Sequence, residues 1–229
     1  MATRDDTEIF DTLKTRLHTA VVGDVMDRMG YRRQFLPAEI KPLKSDMLIA
    51  GRAMPVLEAD APDGGSTMGL GPLAAKPFGL LLEALDDLRP GEIYVATGAS
   101  LTYALWGELM STRAMHLGAA GAILDGYIRD GRQIGSLGFT VFSRGLYAQD
   151  QGVRGKVLDY RCAVEIAGIM IQPGDLLFGD AEGVVVIPRE AEQEIIDAAL
   201  EKAETEDKVG EAIRGGMSAV KALETFGVM

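Results

Sequence analysis

The chain has 229 residues, enough for one large domain or two small ones with a substantial core. Hydrophobic residues make up 47% and charged residues 25%, the balance of an ordinary globular protein, and the formal net charge is −11. That charge excludes a general electrostatic grip on nucleic acid or an anionic membrane, so a small anionic ligand has to meet a local cationic pocket. One cysteine, Cys162, excludes an intramolecular disulfide framework and fits a reducing cytoplasm. The first residues, MATRDDTEIFDTLKTRL, lack the apolar core of a signal peptide, and no run approaches the roughly 18 apolar residues of a membrane span. A soluble, cytoplasmic protein is expected.

Between Asp6 and Met29, apolar residues at Ile9, Phe10, Leu13, Leu17, Val21, Val22, Val25 and Met26 predict two short helices, with Gly30 closing the second. Leu48 to Val56 reads as a strand, and the Gly- and Pro-rich stretch 61–77 as a long loop beside a binding site. Phe78 to Leu88 has helical periodicity and ends at the turn Arg89-Pro90-Gly91. The run Glu92–Thr97, Leu105–Leu117 and Ala122–Ile128 then reads strand, helix, strand, a βαβ unit that implies parallel pairing. Phe139 to Ser143 is a further strand. Val157 to Ile171, Asp175 to Gly179 and Gly183 to Ile187 predict several strands divided by Gly, Pro and Asp turns. Arg189 to Val209 and Ser218 to Phe226 predict closing helices, placed to reach neighbouring subunits in an assembly. With no repeat or low-complexity linker, 1–229 reads as one α/β domain.

The stretch WGELMSTRAMHLGAAGAILDGYIRD, residues 106–130, carries the chemistry. In an open α/β sheet, ligands sit beyond the carboxyl ends of strands. Arg129 and Asp130 fall at such an end, and Gly107, Glu108, Leu109 and Met110 fall at a helix start. Free amides there, with the helix dipole, suit a carboxylate, and Arg129 adds a bidentate grip. Asp130 is a hard oxygen ligand for Mg²⁺ or Mn²⁺, which keep several waters and few protein ligands. Glu108 is placed to hydrogen-bond one of those waters. An arginine-aspartate pair before glycine is also a common surface turn, so spacing alone leaves both readings open.

The segments VVGDVMDRMG, LRPGEIYVATG, WGEL, GAILDGYIRD and PGDLLFGDAEGVVVIP together resemble the regulator-of-ribonuclease-activity A-like (RraA-like) family, over most of the chain. That family includes 4-hydroxy-4-methyl-2-oxoglutarate (4-carboxy-4-hydroxy-2-oxoadipate) aldolases. Its aldolases carry an acid, twenty residues, then Arg-Asp; Glu108, Arg129 and Asp130 fit, with Glu in place of the more familiar Asp. The resemblance implies a layered α/β sandwich similar to swivelling phosphohistidine domains, assembled as trimers or hexamers. It also implies that Gly107 to Met110 and Arg129 hold a pyruvoyl group, that Asp130 ligates Mg²⁺ or Mn²⁺, and that a neighbouring subunit's glutamate completes the site. Glu206 is the nearest match to that glutamate, with Glu204 and Asp207 close by. The implied activity is metal-dependent cleavage of a 4-hydroxy-2-oxo acid to pyruvate, with oxaloacetate decarboxylation. The ribonuclease-regulating branch carries a further acid where this chain has Gln133, which turns the expectation toward the enzyme. A non-catalytic ribonuclease regulator and a lyase for another 2-oxo acid are the alternatives.

Other residues receive simpler readings. His18 and His116 are isolated and make no zinc site. Cys162 reads as a small buried hydrophobe, and Asp180 and Glu182 as turn residues. The Gly-rich loop 63–71 lacks a phosphate-loop ending. Arg52 and Lys76 are expected near the distal end of an acidic substrate. The eight lysines mostly sit beside Pro, Glu, Asp or Gly, in polar or turn-like contexts, which favours metal-dependent chemistry over a Schiff-base nucleophile.

Overall fold

Buried strands of this protein show two apolar faces to two different cores, in a computed structural model that describes residues 4–61, 73 and 75–228. The chain opens with helices α1 (Asp6–Arg16) and α2 (Thr19–Arg28), then strands β1 (Lys41–Pro42) and β2 (Ile49–Asp60). Helix α3 (Leu81–Asp86), strands β3 (Glu92–Thr97) and β4 (Ala104–Trp106), and helix α4 (Glu108–His116) follow. Next come β5 (Gly121–Leu124), β6 (Tyr127–Ile128), α5 (Gly131–Leu137), β7 (Val141–Ser143), β8 (Gly145–Leu146) and β9 (Gly155–Tyr160). The hairpin β10 (Val164–Ile166) and β11 (Ile169–Ile171), strands β12 (Leu176–Asp180) and β13 (Gly183–Ile187), and helices α6 (Glu192–Arg214) and α7 (Ala219–Phe226) complete it. Among the described residues no helix is long and apolar enough to cross a membrane.

The main sheet runs β1-β7-β5-β3-β2-β12-β13, with β9 also on β2. β3 pairs β5 in parallel, as the strand–helix–strand reading expects. Strand β2 drives the curvature: its first half pairs antiparallel with β12, its second half with β9, and the ladder shifts register between Leu57 and Glu58. A register shift bends and twists a strand. The sheet therefore curls into a nearly closed barrel. Ile49, Ala53, Ile93, Val95, Ile123, Phe142, Leu177 and Val186 point to its interior, where the β10–β11 hairpin packs. The alternate residues Met54, Val56, Tyr94, Ala96 and Leu124 face α3, α4 and α5. Ala50, Leu176, Phe178, Val185 and Ile187 face α1, α2 and α6. The expected α/β class holds, as a nearly closed, curled sheet with an apolar filling and helices packed outside it.

Several boundaries differ from expectation. Leu105 and Trp106 belong to β4, so α4 begins at Glu108. The 122–128 run breaks at Asp125-Gly126: β5 stays in the main sheet, while β6 joins a small parallel sheet with β4 and β8. The 157–171 run is three strands, turned at Arg161 and at Ala167-Gly168 with positive φ. Helix α5, between Gly131 and Gly138, was not anticipated, and α6 continues to Arg214. Gly30, at φ +95°, ends α2 as the sequence predicts. The loop reading of 61–77 lies, over 62–72 and 74, outside the described residues.

Candidate active site

Two short strands bring the predicted residues together. β4 and β6 are parallel, with Trp106 opposite Ile128, and the Arg129 amide donates to the Trp106 carbonyl at 2.9 Å. Their carboxyl ends therefore lie side by side, one leading through Gly107 into α4 and the other through Arg129-Asp130 into α5. The corner is fixed from behind. The Trp106 indole donates to Ser111 Oγ at 2.7 Å, and Ser111 Oγ donates to the Gly107 carbonyl. Trp106 is buried between Tyr94 and Phe139.

Helix α4 has no cap from its own N-cap residue, Gly107. Asp130 supplies one instead, its Oδ2 accepting from the Glu108 amide at 3.2 Å. The amides of Leu109 and Met110 remain as first-turn donors without acceptors inside the helix. A side chain at 107 would not fit this approach, since a Cβ there meets Asp130 Oδ2 at 2.9 Å and Arg129 Cγ at 3.4 Å. Asp130 itself sits at φ 57°, ψ 31°, the left-handed region that aspartate tolerates better than most residues. Arg129 is held between two acids: Nε lies 3.8 Å from Asp130, and one terminal nitrogen 2.8 Å from Asp150. The Glu108 carboxylate accepts from Thr112 Oγ1 at 3.0 Å.

These groups open on a cleft of about 230 Å³. Gly107, Glu108, Leu109, Met110, Arg129 and Asp130 all line it, together with Asp150, Gln151, and an apolar wall from Phe78, Leu81, Leu82 and Leu105. Asp150 and Gln151 were missed in the sequence. They stand in YAQDQGVRG, whose composition is that of any polar turn. Behind the cleft, Gln151 Nε2 donates to Glu58 Oε2 at 2.8 Å. Glu58 is fully buried, and burial pushes its carboxyl up to about 8. Its Oε1 and the buried Tyr94 hydroxyl have no hydrogen-bond partner among the described residues.

Other predicted residues lie elsewhere. Arg52 is not at a substrate's distal end; it is buried and paired with Asp6 and Glu192, and its bond holds the Asp6 carboxyl below the usual range. Lys76 pairs with Glu83. Glu206 lies on α6, paired with Lys202, which also bonds Asp24 at 2.9 Å; Glu204 faces Arg16, and Asp207 is exposed. None of the three lines this chain's cleft. Asp180 is more than a turn residue: it caps α2, accepting from the Thr19 amide and hydroxyl at 2.8 Å each. His18 precedes α2 and His116 ends α4, far apart in the fold. Cys162 is only partly buried, against the barrel interior. Loop 63–71 lies outside the described residues.

The donor set bears on a metal. Among the described residues no group of three or more His, Cys, Asp or Glu side chains comes together as a cage. The contacts described for the Asp130 carboxylate fall on Oδ2, and the side chain is 41% exposed, so Oδ1 faces no competing donor among the described residues. One available hard oxygen fits Mg²⁺ or Mn²⁺ held largely by water and substrate; it does not fit a cation that needs an all-protein shell.

Residues 19–186 match the RraA-like family, described as Aldolase/RraA. A Halalkalibacterium halodurans protein provisionally named a 4-hydroxy-4-methyl-2-oxoglutarate aldolase is 28% identical over 214 residues, 93% of this chain and 92% of its own length. Protein DlpA of Legionella pneumophila is 26% identical over 91% of this chain, which spans only 32% of DlpA. Streptomyces coelicolor RraAS2, described as an unusual member of an RNase ES inhibitor family, superposes with TM-score 0.74 at 23% identity, over 90% of this chain and 98% of its own. That last likeness is one of fold.

Proposed function

The chain belongs to the Aldolase/RraA family, and from that membership we propose that it is a lyase cleaving a 4-hydroxy-2-oxo acid to release pyruvate. The observation that carries the reading is the meeting of the α4 first turn, Arg129 and Asp130 in one cleft. The Leu109 and Met110 amides and Arg129 bind the substrate carboxylate. Asp130 would hold a Mg²⁺ or Mn²⁺ ion, which when bound supplies Lewis-acid stabilisation of charge at the 2-oxo oxygen. Glu108 orients a water that takes the proton of the 4-hydroxyl. The C3–C4 bond breaks, its electron pair stays on C3, and the C4 fragment leaves as a carbonyl compound. The proton returns to C3, giving pyruvate. Loss of CO₂ from oxaloacetate leaves the same three-carbon unit, so oxaloacetate decarboxylation belongs to the proposal.

Glu206 takes part only if a second copy delivers it, so the proposal includes a trimer or a pair of trimers. Exposed Val220 and Leu223 on α7 give the same end of the molecule an apolar face for such an assembly.

A pyruvate-release assay on a panel of 2-oxo acids tests the reading. EDTA should abolish release, and Mg²⁺ or Mn²⁺ should restore it. Full turnover after exhaustive chelation removes the metal from the proposal. No turnover on any 2-oxo acid, with tight binding of a ribonuclease, replaces the enzyme by a regulator.

A further inference from the structure

We propose, resting on the lyase reading, that buried Glu58 is a positioning residue for the grip on the substrate carboxylate: through Gln151 it anchors the turn 149–155, on which Asp150 holds Arg129. The contacts run unbroken from the core to the cleft. Asp150 and Gln151 are adjacent, and both line the cleft. Asp150 Oδ1 meets the Arg129 guanidinium at 2.8 Å, so a shift of the turn shifts Arg129 with it. Gln151 turns inward, only 4% exposed, and its Nε2 donates to Glu58 Oε2 at 2.8 Å.

Backbone bonds tie the turn at both ends. The Gln149 carbonyl accepts from the Ala104 amide of β4 at 2.8 Å, and the Arg154 carbonyl accepts from the Ala61 amide just past β2. Inside the turn, the Gly152 amide donates to Asp150 Oδ2 at 2.8 Å, and the Arg154 guanidinium donates to the Asp150 carbonyl at 3.0 Å. Those bonds shape the turn; the Gln151 side chain seats it on the core. Without its acceptor the Gln151 amide would be stranded in the interior, a cost the turn relieves by swinging outward. Glu58 is 1% exposed within one chain, so this anchor needs no second copy. A buried acid is costly here, since its Oε1 has no partner among the described residues, and an apolar side chain would fill the space more cheaply. The bond to Gln151 is what the acid supplies. Burial keeps its carboxyl mostly neutral at pH 7, so glutamine is a close stand-in.

The test uses the full chain in its native assembly with Mn²⁺, reading oxaloacetate decarboxylation and, by calorimetry, pyruvate binding. Glu58→Leu keeps the packing but removes the acceptor; KM for oxaloacetate and Kd for pyruvate should both rise about tenfold, with kcat within about threefold. Glu58→Gln should restore both constants. Gln151→Ala should match Glu58→Leu, and the double variant should lose no more than either single one. Unchanged KM and Kd in a folded Glu58→Leu or Gln151→Ala protein overturns the inference. So do additive losses in the double variant, or a Glu58→Gln protein as impaired as Glu58→Leu. If the unmodified protein binds pyruvate but turns over no 2-oxo acid, the lyase reading fails while the shifts in Kd still decide the anchor. No pyruvate binding and no turnover overturns both.

Discussion

Asp130 carries two duties that pull on one residue. Its carboxylate caps α4 and, in the proposed function, would also hold a metal, while its backbone sits at φ 57°. Asparagine tolerates that backbone and keeps a carbonyl oxygen for the Glu108 amide, but loses the charge. Asp130→Asn should therefore keep the unfolding midpoint within a few degrees while pyruvate release falls by about 10²-fold or more. Near-normal turnover in a folded Asp130→Asn protein would reduce Asp130 to a helix cap. Glu58 offers a separate prediction through pH. Its unfolded value is near 4.5 and its folded value about 8. Below pH 4.5 both states hold the proton, and burial of the neutral acid carries no electrostatic penalty. Between the two values the unfolded chain releases the proton and the native one does not, so stability falls as pH rises and levels off above 8. Glu58→Gln should remove that slope, gaining roughly 2–4 kcal/mol on the unmodified protein between pH 5.5 and 8.5 by urea denaturation. Parallel slopes would show that Glu58 does not titrate in this window.

Among elements, α2 depends on a partner far along the chain. Asp180 caps the Thr19 amide and hydroxyl, both fully buried, from the end of β12. Asp180→Ala should cost about 2–3 kcal/mol, seen as a lower urea midpoint with unchanged slope, and Asp180→Asn should recover part of it. A change below about 0.5 kcal/mol would mean that water takes over the cap. This contact also marks where reading the chain ends. Helices α1 and α2, strand β3 and the β3–α4–β5 crossover were legible because each writes a local period or turn into consecutive residues. The 122–128 run was not, because Asp125 and Gly126 are broken apart by distant groups: Thr97 and Arg144 bond the Asp125 carboxylate, and Leu105 packs where a Cβ on Gly126 would stand. Helix α5 was hidden by Gly131, Gly135 and Gly138, which look like turns. At the site, Gly107 to Met110, Arg129 and Asp130 were visible as strand and helix ends. Asp150, Gln151 and Glu58 were not, since their roles come from contacts made across 21 and 93 residues of chain.

At the scale of the whole molecule, one curled sheet organises three apolar clusters, the barrel filling and two outer layers of helices. The cleft belongs to the layer with α3 and α4, while α1, α2, α6 and α7 stand on the other outer layer or against it. A single chain thus keeps its cleft and its C-terminal helices apart, and the proposed role of Glu206 becomes a property of an assembly. The three-stranded sheet of β4, β6 and β8 sits outside the barrel wall, joined to it at the Asp125-Gly126 break. Its strands are two or three residues long, yet they mount Gly107, Arg129 and Asp130. Because the barrel closes through other strands, this mount can accept altered side chains at the cleft without rewriting the pairing that folds the molecule. Descendants of one such chain can thus diverge in chemistry while inheriting the same scaffold, a division of labour that makes the fold evolvable.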